Sequence, residues 1–279
     1  DREAALYEAS PDLPDDHSGA FLNPSAAYFL AASSVAWESR TWPEAEARVA
    51  AGCRTALLGL GSIEQHGPIG LIGTDMLCAD DIAVAAGEAA NFLVAPPLGY
   101  APAEFNMGFA GTISISQETY RNLCGEIFHA LERHGFRHIY ILNGHGANLE
   151  PLAEAADAVS KAKLRIKSWW DFEAVNLLRQ ALYGDWEGMH ATPSEIAITQ
   201  VAHRGVDAAL ASEPPEKLTQ DFVRTHAGDK HGSADEHRAQ FPDGRVGSHS
   251  ALATRAHGAR LKAAAVSALI KDYEKFVGS

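Results

Sequence analysis

Residues Thr55–Asp75 read TALLGLGSIEQHGPIGLIGTD, an apolar run that gives way within a few positions to acids, a histidine and glycines. From Thr55 to Ser62 the run has the length and continuous hydrophobicity of a strand buried on both faces. Just past it, Glu64 and His66 lie two residues apart, so in an extended chain their side chains point the same way. Asp75 can return to them through a loop containing Gly67, Pro68, Gly70 and Gly73, residues that favour tight turns. Oxygen, nitrogen and oxygen donors would then face one point. Without that convergence the same residues are an ordinary solvated loop.

Outward from this stretch the pattern alternates. Pro43–Gly52 reads as a short helix, Met76–Ala90 as an alanine-rich helix, Asn91–Leu98 as a strand, and Gln117–His134 as a helix stopping at Gly135. RHIYILNG, Arg137–Gly144, is a second buried strand, followed by a helix over Ala147–Lys163 and a strand over Leu164–Trp170. Such βαβα alternation predicts an α/β fold, a mostly parallel central sheet covered by helices on both faces, with ligands at the strand C-termini. Pro193–His203 reads as a helix with proline in its first turn, and Arg255–Phe276 as a long closing helix. Between them, residues 204–250 are polar and rich in Gly and Pro, an irregular excursion of one domain spanning 25–279. Residues 1–24, punctuated by Pro11, Pro14, Gly19 and Pro24, read as a tail or an oligomer arm.

Composition narrows the function. The chain has 279 residues, enough for a sizeable core, and 46% hydrophobic content, too much for a chain disordered throughout. Its formal charge of −13 repels phosphate backbones and anionic membrane surfaces, so neither nucleic acid nor membrane is an expected partner. Cys53, Cys78 and Cys124 are odd in number and lack metal-ligand spacing, which fits a reducing, cytoplasmic setting. No apolar run is long enough to span a bilayer, and the N-terminal stretch is acidic where a secretory signal would be basic.

Familiar motifs are absent. GLGSIE begins like a dinucleotide fingerprint, but Glu64 replaces the third glycine and would repel a pyrophosphate. There is no GxxxxGK[ST], HExxH or GxSxG. Two other segments carry chemistry. In NGHGAN, Asn143–Asn148, two glycines flank His145 at the end of the second strand, presenting the imidazole at the sheet edge. A composite metal site needs such a second contribution; a plain turn with a hydrogen-bonded histidine is the alternative. In WEGMHATPSE, Trp186–Glu195, His190 precedes a helix start and could transfer protons in a cleft. Glu195 sits where the helix dipole favours an acid in any case.

Together these residues resemble the creatininase (creatinine amidohydrolase) family. The pattern is carried by Gly61–Pro68 (GSIEQHGP), Thr74–Asp75, Asn143–Asn148 and His190–Glu195, with similarity also at Phe109–Thr112 (FAGT) and Gly247–Ile270. It covers about residues 40–275. The resemblance implies a three-layer α/β/α sandwich, a homo-oligomer, often a hexamer, and two divalent metal ions at the strand C-termini. By it, Glu64, Asp75 and His145 hold one ion, and His66 with bridging Asp75 holds the other. Mixed carboxylate and imidazole donors suit Zn, Mn or Fe. Creatininase has a glutamate where this chain has Ala147, so Glu195 or water is expected to complete the second ion.

The implied reaction is hydrolysis of a C–N bond in a small-molecule substrate, a cyclic amide (creatinine-like, lactam or imide) or a formamide, by hydroxide generated between the cations. His190 would pass the proton to the leaving nitrogen, with Glu195 beside it, while Trp170, Trp186 and Asn143 would meet the substrate. Alternatives are another family reaction, peptide trimming or opening of an oxidised cyclitol ring, or a non-catalytic scaffold with a residual metal site. HGPIGL and HATPSEIA depart from the family's usual wording, and Met189 replaces a glutamate beside the reacting group, which opens the substrate question beyond creatinine. His226, His231 and His237 could line the mouth or contact a neighbouring subunit, or lie in a solvated surface loop.

Overall fold

The structure, a computed structural model, describes residues 35–157 and 159–278. The tail or oligomer arm expected at residues 1–24 lies outside the described residues.

Among the described residues, four parallel strands form the sheet, β1 (Thr55–Leu60), β2 (Leu93–Leu98), β3 (His138–Asn143) and β4 (Lys163–Ser168), in the order β2-β1-β3-β4. Side chains alternate along each strand. Leu57, Val94, Tyr140 and Leu142 point into one core, where they meet α2 (Thr74–Ala90), α6 (Pro193–Ala202) and α9 (Arg255–Val277). Ala56, Leu58, Leu60, Leu93, Ile139 and Ile141 point into the other, against α3 (Gln117–Arg133) and α4 (Leu149–Asp157). The remaining helices are α1 (Trp42–Ala50), α5 (Glu173–Tyr183), α7 (Gln220–Thr225) and α8 (Ala234–Gln240). Helices on both faces of a parallel sheet make the expected three-layer α/β/α arrangement.

Strand order decides where the site sits. From β1 the chain crosses to β2 on one side, then to β3 on the other, so a crevice opens beyond the C-terminal ends of β1 and β3. Leu60 pairs with Asn143, placing the Glu64–His66 segment and His145 at the same edge. The start of α2 packs directly onto that edge. A Cβ on Gly61 would come 2.2 Å from the Met76 nitrogen, and one on Gly144 would come 2.2 Å from the Asp75 carbonyl oxygen. Only glycine permits this approach.

Several elements differ from expectation. The helix expected from Met76 begins at Thr74, so Asp75 sits in its first turn, where the helix dipole favours a carboxylate, and not in the loop. The helix expected over 147–163 is α4, preceded by a turn at Gly146–Asn148. The strand expected to reach Trp170 ends at Ser168, and Trp169–Asp171 form a single tight turn capped by Ser168 and Asp171. The excursion 204–250 contains α7 and α8, each begun by a Thr219 or Ser233 side-chain cap. All three cysteines are free thiols.

Candidate metal centre

Glu64, His66, Asp75 and His145 converge at the crevice, and all four are almost completely buried. Asp75 lies at the middle. Its Oδ1 is 2.9 Å from His66 Nε2, and its Oδ2 is 2.9 Å from His145 Nδ1 and accepts from Ser62 Oγ at 2.9 Å. Glu64 Oε1 is 3.2 Å from His145 Nδ1 and 3.7 Å from His190 Nδ1, while Glu195 Oε1 is 3.8 Å from His66 Nε2. Among the described residues, donor atoms cluster within ligand-sized separations as Glu64–Asp75–His145, His66–Asp75–Glu195 and Glu64–His66–His190.

The three imidazoles are oriented alike. A backbone carbonyl can only accept, so each ring nitrogen facing one carries the proton. His145 Nε2–H donates to the Pro102 oxygen at 2.7 Å, His66 Nδ1–H to the Glu64 oxygen at 3.1 Å, and His190 Nε2–H to the Gln65 oxygen at 2.7 Å. Where such a ring is neutral, its inner nitrogen turns a lone pair toward carboxylate oxygens. This is how metal-ligating histidines are held.

Lone pairs facing carboxylates repel unless positive charge lies between them. Burial opposes a charge on His66, yet Asp75, Glu195 and Glu64 push it up to about 10. His145 likewise rises well above the ordinary imidazole range, against its burial, because Glu64 and Asp75 flank it. Burial, with His66 alongside, keeps His190 far below that range and hence neutral. Burial pushes Glu195 up to about 8, although His66 pulls the other way. Glu64 Oε1, wholly buried, has no hydrogen-bond donor. Protons on two imidazoles meet part of this demand; divalent cations among oxygen and nitrogen donors meet it fully, so the residues fit such ions.

Local sequence explains the positions. Thr192 and Glu195 form a reciprocal cap at the start of α6: Thr192 Oγ1 accepts from the Glu195 nitrogen, and Glu195 Oε1 accepts from the Thr192 nitrogen. The oxygen expected to complete the second ion therefore also caps a helix. His190 is held by backbone pairing with Val246, and Ser250 Oγ donates to the oxygen of Ala191, a non-glycine residue at φ 56°. Thr112 of FAGT accepts from the Gln65 nitrogen at 3.1 Å, fixing the chain between Glu64 and His66.

A cavity of about 230 Å³ opens over Asp75, His145, His190 and Glu195, walled by Trp170, Met189 and Arg179. Trp170 thus faces the place expected for substrate. Trp186 does not line this cavity; its ring packs against His249 and beneath Lys217 Nζ, 4.6 Å away. Asn143, expected at the substrate, is fully buried, and its amide is occupied internally. Nδ2 donates to the His145 oxygen and to Ser168 Oγ, and Oδ1 accepts from the His145 nitrogen and Asn148 Nδ2. It shapes the histidine turn.

Three residues escaped the sequence reading. Asn106 Nδ2 donates to Glu64 Oε2 at 3.0 Å, and its Oδ1 accepts from Gln65 Nε2 at 2.8 Å, orienting the glutamate. Only its proximity to FAGT hinted at this. Arg179, paired with Glu187 at 2.8 Å, carried no motif at all. Asp229, from the histidine-rich excursion, also lines the cavity. Its carboxyl is pushed up to about 6 by burial, against the pull of His145, with Glu64 and Asp75 adding to the rise.

Comparison with known proteins supplies the context. The creatininase family model, described as creatinine amidohydrolase, matches residues 38–273. Creatinine amidohydrolase of Pseudomonas putida is 30% identical over 213 residues, covering 67% of this chain and 82% of the relative. Mycofactocin precursor peptide peptidase of Mycobacterium ulcerans (strain Agy99) is 33% identical over 142 residues, 46% of this chain and only half, 50%, of the peptidase. A Zn-Zn form of a mutant creatininase superposes with a TM-score of 0.74 at 26% identity, covering 87% of this chain and 98% of that one. A form described as creatininase Mn gives 0.71 at 25% identity, with coverage of 87% and 99%.

Proposed function

The chain belongs to the creatininase family of hydrolases, and on that premise we propose that it is a binuclear metal-dependent amidohydrolase acting on a C–N bond of a small cyclic amide or a formamide. One observation carries the reading: the two oxygens of Asp75 face different imidazoles, His66 and His145, each with a second carboxylate nearby. A carboxylate placed so is suited to bridge two cations. Glu64, Asp75 and His145 would hold one, and His66, Asp75 and Glu195 the other; zinc- and manganese-containing relatives support Zn or Mn as the metal. Bound there, divalent ions would supply Lewis acidity, polarising a carbonyl and acidifying water.

The remaining work falls to side chains. His190, kept neutral and with Nε2–H fixed on the Gln65 oxygen, lines the cavity and has Nδ1, 3.7 Å from Glu64 Oε1, to take a proton and pass it to the leaving nitrogen. Trp170 offers a flat face to a planar substrate. Met189 makes the wall beside His190 apolar, which favours a neutral amide over a strongly basic ring.

Peptide trimming is the second reading, favoured by similarity to the mycofactocin precursor peptide peptidase and by the cavity's extension. A further chamber of about 330 Å³ shares Arg179, Gly188 and Val223 with the first, giving room for a longer substrate. The homo-oligomeric assembly implied by the family belongs to the same proposal and is read by light scattering.

The test is turnover. Zn- or Mn-loaded protein is presented with creatinine, hydantoins, cyclic imides, lactams, formamides and short peptides while acid release and product mass are followed. Hydrolysis of an amide, lost on chelation and restored by metal, supports the proposal. A metal-free, inert protein with intact fold favours a scaffold.

A further inference from the structure

The histidine-rich excursion does more than cover the cavity. We propose that Asp229 is an additional carboxylate ligand of the metal centre, delivered from this excursion to the His145 side. The proposal rests on the binuclear reading above.

Asp229 Oδ2 lies 3.8 Å from His145 Nδ1, the same lone pair that faces Asp75 at 2.9 Å and Glu64 at 3.2 Å. Two ligands on one ion, each about 2.0–2.2 Å from it, stand roughly 3–3.5 Å apart, so a small inward movement completes the approach. The carboxylate is held there. Oδ2 accepts from the Ala147 nitrogen at 3.0 Å, and a Cβ on Gly146 would come 2.2 Å from the same oxygen. Gly146 leaves room for the acid, and Gly228 and Asp229, at φ 76° and 55°, make the corner that carries it.

Independent signs point to a ligand between these groups. Glu64 Oε1 is wholly buried without a hydrogen-bond donor. His231 Nε2, on a side chain only 2% exposed, also lacks a partner and lies 4.0 Å from Asp229 Oδ1, placed to orient the carboxylate from behind. His231 and His237 pack on Phe105 at 4.8 and 5.1 Å, and the Phe105 ring stacks parallel to His145 at 6.4 Å. Charge agrees as well. Glu64, Asp75 and Glu195 are buried, Asp229 is only 12% exposed, and two divalent cations neutralise four negative charges.

The test titrates the metal-free full chain with Mn²⁺ or Zn²⁺ by calorimetry and counts bound ions by elemental analysis. Asp229→Asn keeps an acceptor for the Ala147 nitrogen but removes the charge, so a purely structural role leaves metal affinity unchanged. The expected result is two ions in the parent protein, one of them weakened about 10- to 100-fold in Asp229→Asn and recovered to within a few-fold in Asp229→Glu. Melting of the metal-free forms checks that the variants fold, and the Mn²⁺ electron-resonance spectrum of one site is expected to change in Asp229→Asn. Two ions bound with parental affinity and an unchanged spectrum in Asp229→Asn overturn the role of Asp229 while sparing the binuclear reading. A parent protein that binds no metal overturns both.

Discussion

The floor and the wall of the cavity are made differently. On the floor, Glu64, His66, Asp75 and His145 follow within a few residues of β1, the start of α2, or β3, and those elements press on one another through Gly61 and Gly144. On the wall, Trp170, Met189, His190 and Asp229 come from tight turns and from the excursion, positioned by contacts far apart in sequence. Rigid strand ends fix donor atoms, whereas loops can change composition without moving them. The floor thus concentrates the donor atoms, while the loop-built wall adds Asp229, 3.8 Å from His145 Nδ1, and encloses the cavity.

That division is open to attack at several strengths. Asp75→Asn, which weakens a group shared by two donor clusters, is expected to lose both ions and to lower turnover by about 10³-fold or more, measured by metal analysis and rate. His145→Ala is expected to remove one ion and abolish turnover with the melting temperature little changed; an active variant would take His145 out of the ligand set. Gly144→Ala drives a methyl group into the Asp75 carbonyl and should cost about 1–3 kcal/mol in urea unfolding. An unaffected stability would show that the floor is looser than described. On the wall, Trp170→Ala should raise KM by roughly 2- to 10-fold with less change in kcat, while Trp186→Ala, outside the cavity, should leave KM within about twofold. Equal effects from the two tryptophans would erase the distinction.

The floor was legible because its signals are local. Apolar runs ending in polar residues mark strand C-termini, and the two-residue spacing of Glu64 and His66 sets their common direction. Asp75 is legible as a donor but reads as part of a loop, since Gly73 gives α2 no side-chain cap to announce its start. Asn143 read as a substrate contact because sequence does not show which polar groups are already satisfied; its amide is occupied by the His145 backbone, Ser168 and Asn148. The wall was less legible. Asp229 is held at the site by tertiary contacts, the Ala147 nitrogen on its carboxylate and the packing of His231 and His237 on Phe105, which leave no periodic trace.

The most direct measurement is anomalous diffraction from crystals of the Mn- or Zn-loaded protein. Two peaks are expected flanking the Asp75 carboxylate, one bounded by Glu64 and His145 and the other by His66 and Glu195. A fully loaded crystal with no peak beside Asp75, or with its metal bound elsewhere, would contradict that arrangement.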